Sequence, residues 1–119
     1  MKTSEEIKTF LDFIREAESR YNLALDAMKT EDKRTQDFLH AIEFEPHAEE
    51  RSKIATKIRA SRKTRRENKD IVEELEPVID FMSVQANKKV IDQLTQLLGR
   101  IRKVEKYHEN RSYHPRVEG

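Results

Sequence analysis

The stretch IATKIRASRKTRRENKDIVEELEPVIDFM, residues 54–82, decides the fold: Ile54, Ile58, Ser61, Arg65, Asn68, Val72, Leu75, Ile79 and Met82 recur at alternating spacings of four and three. That alternation is the seam of an α-helix and no strand period reproduces it. The two ends of the seam are apolar and its centre is polar. Pro77 lacks a backbone N–H and crowds the preceding turn, so it is expected to kink or restart this helix. The same helix is the most basic part of the chain: between Lys57 and Lys69, seven of thirteen residues are cationic and one is acidic.

Toward the N-terminus, Thr3 and Glu6 have the spacing of a capping box, which starts a helix near Ser4. From there Ile7, Ile14, Tyr21 and Met28 fall one heptad apart, with Phe10, Ala17 and Ala24 three residues after the first three and Leu11 and Leu25 widening the stripe. The stripe thins across Lys29 to Asp37 and resumes at Phe38, Leu39 and Ile42. One helix over about residues 4–44 is the expectation, with a break near Thr30 as the alternative. Pro46 suits the first turn of a second helix, about 47–82, in which Glu49 and Glu50 complement the helix dipole. Ser83 is placed as the cap of a third, about 84–109, whose seam is Val90, Leu94, Leu97, Ile101 and Val104 with Ile91 and Leu98 beside it. Gly99 within it suggests a close crossing.

These elements give an all-α fold of long antiparallel helices, a helical hairpin plus a third helix packed like a coiled coil. Residues 1–109 form a single domain, and residues 110–119 an extended tail. Of the 119 residues, 35% are hydrophobic and 39% charged, too polar for a thick core. Helices of that length outrun a compact monomer, so a homo-oligomer is expected. There is no cysteine, which removes disulfides and thiol chemistry and agrees with a cytoplasmic setting. No apolar run is long enough for a membrane span, and the first residues carry no signal-peptide pattern.

The net charge of +1 is a cancellation of blocks: −4 over residues 1–45, +6 over 46–69, −5 over 70–87 and +4 over 88–119. Such blocks pair with each other or with a ligand. On a helical wheel with Arg59 as origin, Lys63 lies at about +40°, Arg66 at about −20°, Arg62 at about −60° and Lys69 at about −80°. These five cations form one stripe, well away from the seam. Guanidinium groups so spaced can hold phosphates of a nucleotide or nucleic acid. A solvated face paired with Glu67, Glu73, Glu74 or a neighbouring subunit is the competing reading. Arg65 differs, because it occupies a seam position. There a carboxylate, a phosphate or open water must meet it. It either sets register as part of a polar layer, or lies with Ser61 and Asn68 on the floor of a pocket rimmed by the stripe.

The C-terminal region adds Tyr107, Arg111, Tyr113 and Arg116, interleaved aromatics and arginines of the kind that stack bases and hold phosphates. The alternative is a tail packed across a neighbour. His40, His47, His108 and His114 do not form a metal set, and no catalytic motif is present. The reading from the residues is therefore a non-enzymatic protein without cofactor or metal.

The stretch Phe38-Leu39-His40-Ala41-Ile42-Glu43, followed after a turn by Ala60-Ser61-Arg62-Lys63-Thr64-Arg65-Arg66-Glu67-Asn68-Lys69-Asp70, resembles small helical accessory proteins of phages and prophages of Gram-positive bacteria. The match covers about a third of the chain. The resemblance implies a viral factor in the host bacterial cytoplasm that counters defences by binding a host protein, a nucleic acid or a signalling nucleotide. A coiled-coil module that docks a host or viral protein is the alternative function.

Overall fold

The computed structural model describes residues 2–111, so the expected extension of the tail from Ser112 onward lies outside them. Three helices follow in order: α1 (Thr3–Phe44), α2 (Ala48–Ser83) and α3 (Gln85–Asn110). No strand occurs among the described residues. The all-α class and the three helix spans read from the sequence are thus found within a residue or so at each end. The chain divides into two units, one of residues 16–81 and one of residues 1–15 with 82–119, and α1 contributes to both.

In the unit of residues 16–81, α1 and α2 run antiparallel around the turn 45–47. Ala17 and Ala24 are buried on α1, Ser61 and Leu75 on α2. Tyr21, Met28, Thr35, Phe38 and Ile42 are half-buried opposite Ile54, Ile58, Arg65, Asn68, Val72 and Ile79. The α2 seam is therefore the one its spacing predicts, and α1 is unbroken at Thr30. Pro46 lies in the turn and not in the first turn of α2. Helix α1 has no basic residue in its last turn. Arg51 of α2 braces the turn instead: its Nη1 donates to the carbonyls of Glu45 at 3.0 Å and Pro46 at 2.8 Å. Pro77 sits inside α2, which continues to Ser83 without a restart.

In the other unit, the start of α1 packs antiparallel on α3. Leu11 and Ile14 of α1 and Ile91 and Leu98 of α3 are the buried apolar side chains of this unit. Polar contacts fix the register: the Ser4 N–H donates to Glu105 Oε2 at 3.2 Å, Lys2 Nζ meets Glu109 Oε1 at 2.8 Å, and Arg15 Nη2 donates to Thr95 Oγ1 at 3.0 Å. Hydrogen bonding from the Ser4 side chain, and secondarily from its N–H, holds the Glu105 carboxyl below its ordinary range, and Glu109 raises the Lys2 ammonium above its own. The cap also differs from the expected pair. Glu5 reaches back to the Lys2 N–H at 3.2 Å, one residue earlier than Thr3 with Glu6. At the start of α3 the N-cap is Val84, without a side-chain cap bond, and Ser83 ends α2. Gly99 marks no close crossing, because a Cβ built there meets nothing within 4 Å.

Candidate functional site

A polar layer occupies the middle of the α1–α2 seam. Ser61 Oγ donates to Glu31 Oε2 at 2.5 Å, and the Thr35 hydroxyl lies 3.1 Å from the Ser61 oxygen, placed to donate to it. Glu31 and Ser61 are 5% and 4% exposed, which makes this carboxylate the most deeply buried charge described. Arg34, one turn on, closes an ion pair with Glu31 at 2.6 Å from the solvent side. Every buried side-chain polar atom among the described residues has a partner, so the layer is a satisfied network. A network of this kind fixes register more than it adds stability.

Arg65 extends the layer outward, its Nε donating to Asp32 Oδ1 at 2.6 Å. This contact is the one a register-setting role needs, and Arg65 also lines the groove described below. Ser61 is covered by Glu31, and Asn68 Nδ2 donates back to the Thr64 carbonyl at 2.9 Å. Neither lines the two hollows described below.

The five cations of the stripe, Arg59, Arg62, Lys63, Arg66 and Lys69, are all exposed on the outer face of α2. Arg62, Arg65, Arg66 and Lys69 line a groove of about 440 Å³ with Asp32 and Thr35 of α1. On the other flank, Arg59, Arg62, Lys63 and Arg66 surround a shallower hollow of about 760 Å³ floored by Ala55, Ile58 and Ala60. Arg62 and Arg66 form the ridge between the two.

Lys69 makes one loose contact with Glu73, at 3.9 Å. Arg59, Arg62, Lys63 and Arg66 have no acidic partner among the described residues, whereas Lys2, Lys8, Arg34, Lys53 and Arg65 each hold a carboxylate within 3.0 Å. The acids expected to neutralise the stripe thus leave these four alone. Like charges at i,i+3 and i,i+4 each cost a helix about 0.2–0.5 kcal/mol. The run includes four such pairs: Arg59 with Arg62, Arg59 with Lys63, Arg62 with Arg66, and Lys63 with Arg66. An anion across this face relieves that repulsion and gains charge-assisted hydrogen bonds.

The residues singled out near the C-terminus belong to the other unit. Tyr107, 66% exposed, has its ring centroid 6.0 Å from that of His108. With Lys103, Lys106, Asn110 and Arg111 it lines an open hollow of about 580 Å³ at the end of α3. Sequence reasoning missed Lys103 and Lys106, although Lys103 stands four residues before Tyr107 and three before Lys106, spacings that make helical neighbours. Tyr113 and Arg116 lie outside the described residues. Among those described, no group of three His, Cys, Asp or Glu side chains is placed to hold a metal, and no helix is long and apolar enough to cross a membrane. Comparison with protein-family models, curated proteins and solved structures finds no match to this chain.

Proposed function

We propose that this chain is a non-enzymatic helical protein that binds a phosphate-bearing ligand through the outer face of α2. Arg59, Arg62 and Arg66 hold phosphate oxygens, and Lys63 and Lys69 add charge. The observation that carries this reading is the set of four exposed cations without acidic partners, within two turns of one helix, beside an arginine that is neutralised. Arg65 belongs to the scaffold through Asp32 and orients the groove wall. Tyr107 and Arg111 form a second, independent contact surface. The setting is the one the resemblance implies, a phage factor acting against host defences.

Direct titration of the protein with cyclic dinucleotides, NAD-derived nucleotides and short DNA and RNA duplexes tests the proposal. At least one of these is expected to bind, and Arg62→Glu with Arg66→Glu to weaken it more than tenfold, about 1.4 kcal/mol or more. No binding by any member, or equal binding by the double variant, refutes it.

A second reading, docking of a host or viral protein, rests on α3. Val90, Leu97 and Val104 lie one heptad apart and are 47%, 36% and 54% exposed. Val104→Asp is expected to abolish capture of such a partner while phosphate binding persists; the opposite pattern removes this reading.

A further inference from the structure

The outer face of α2 changes sign along its length. Arg59, Arg62, Lys63, Arg66 and Lys69 are followed on the same side by Asp70, Glu73, Glu74 and, further on, Asp80, all exposed. At 100° per residue, Asp70 lies at about +20° from Arg59, Glu73 at about −40°, Glu74 at about +60° and Asp80 at about −60°, all within or next to the sector of the basic stripe. Glu76 flanks it at about −100°. Two blocks of similar length and opposite charge on one helix face are self-complementary when a second copy lies antiparallel.

We propose that a second copy of this chain covers this face, with a two-fold axis between Lys69 and Asp70, and that the phosphate-bearing ligand competes with it for the same cations. The competition rests on the reading under Proposed function, whereas the pairing stands on charge alone. This register sets Arg66 opposite Glu73 of the other copy, Arg62 opposite Glu76, Lys63 opposite Glu74 and Arg59 opposite Asp80. Each pair is within about 3 Å of the same height along the helices. By symmetry each pair occurs twice. A parallel copy in register sets cation on cation and acid on acid, so the charge order also selects direction. The interface is isologous, as a two-fold dimer requires.

Exposed ion pairs are individually weak and screened by salt, so the dimer is sensitive to ionic strength. A polyanion that outbids the acidic block opens it.

The test uses the full chain in sedimentation equilibrium at about 50 mM and about 500 mM salt. Dimers are expected at the lower concentration, with a dissociation constant that rises at least tenfold at the higher. Arg66→Glu and Glu73→Arg alone are each expected to give monomers at low salt, and the two together to restore the dimer. Helix content by circular dichroism is unchanged throughout. Carbodiimide, which joins a lysine directly to a carboxylate, supplies the register: Lys63 and Glu74 are about 16 Å apart on one helix, so a bond between them can only join two copies.

A monomer at low salt, a dimer indifferent to salt, or an exchanged pair that fails to restore association overturns the proposal. A twelve-base-pair DNA duplex is expected to suppress the Lys63–Glu74 crosslink. If the duplex binds and the crosslink persists, the competition is wrong; if neither the duplex nor any nucleotide binds while the dimer forms, the phosphate reading falls and the interface stands.

Discussion

Ser61→Ala is the sharpest probe of the polar layer. The hydroxyl is 4% exposed and donates to a carboxylate that is itself 5% exposed, at 2.5 Å. Removing it costs one hydrogen bond to a buried charge, about 1.5–3 kcal/mol. Arg34 still pairs with Glu31 at 2.6 Å, and Thr35, freed from Ser61, is the nearest replacement donor. The lower half of that range is therefore expected, about 2 kcal/mol, or a fall in Tm of roughly 8 °C for a chain of this size. Urea denaturation followed by circular dichroism reads this as a shift in midpoint at constant slope. Replacing Glu31 and Ser61 together by leucine is expected to recover most of the loss, because a well-packed apolar pair is often as stable as a buried charged one. A loss below about 0.5 kcal/mol for Ser61→Ala, within the range of ordinary surface changes, refutes the argument that this layer is dry and mutually dependent.

Gly99→Ala is expected to stabilise the protein by about 1 kcal/mol, since a Cβ there meets nothing within 4 Å and glycine is costly inside a helix; chemical denaturation measures it. Leu98→Ala is expected to cost about 2–4 kcal/mol and Leu97→Ala less than about 1 kcal/mol, because Leu98 is 5% exposed and Leu97 36% exposed; equal losses by denaturation contradict the packing of α3. The Glu105 carboxyl is depressed by hydrogen bonds from Ser4, from its side chain first and then from its N–H. Its contribution is therefore complete above the ordinary carboxylate range and lost as pH falls through its lowered value. Amide exchange at Ser4, corrected for intrinsic rate, is expected to lose protection over that acidic window, and Glu105→Gln to remove the pH dependence.

The helices were legible in the sequence because their seams repeat. All of the α2 seam positions from Ile54 to Met82 are buried or half-buried, polar ones included. Helix α3 was read less well: its apolar set is wider than one seam, and periodicity does not say which edge meets α1. The contacts of Ser4 with Glu105 and Arg15 with Thr95 turn Ile91 and Leu98 inward and leave Val90, Leu97 and Val104 outward. Glu31 was missed because a carboxylate gives no hydrophobic signal, so the seam appeared to thin there. A signal was nonetheless present. Glu31 and Ser61 are each fifteen residues from Pro46, and an antiparallel hairpin brings such positions to the same height. For the candidate site, the wheel separated the exposed stripe from Arg65 correctly. It had no means of showing that Arg65 is neutralised by Asp32 while its four neighbours are not, since that depends on the register of α1 against α2.

The central claim, that the partnerless cations of α2 hold phosphates, is tested most directly by the salt dependence of binding to a twelve-base-pair DNA duplex, measured by fluorescence anisotropy at protein concentrations where the chain is monomeric. Four phosphate contacts predict a slope of log K against log salt of about −3.6, falling to about −1.8 or shallower for Arg62→Glu with Arg66→Glu. A slope near zero, or one that the double variant leaves unchanged, contradicts it.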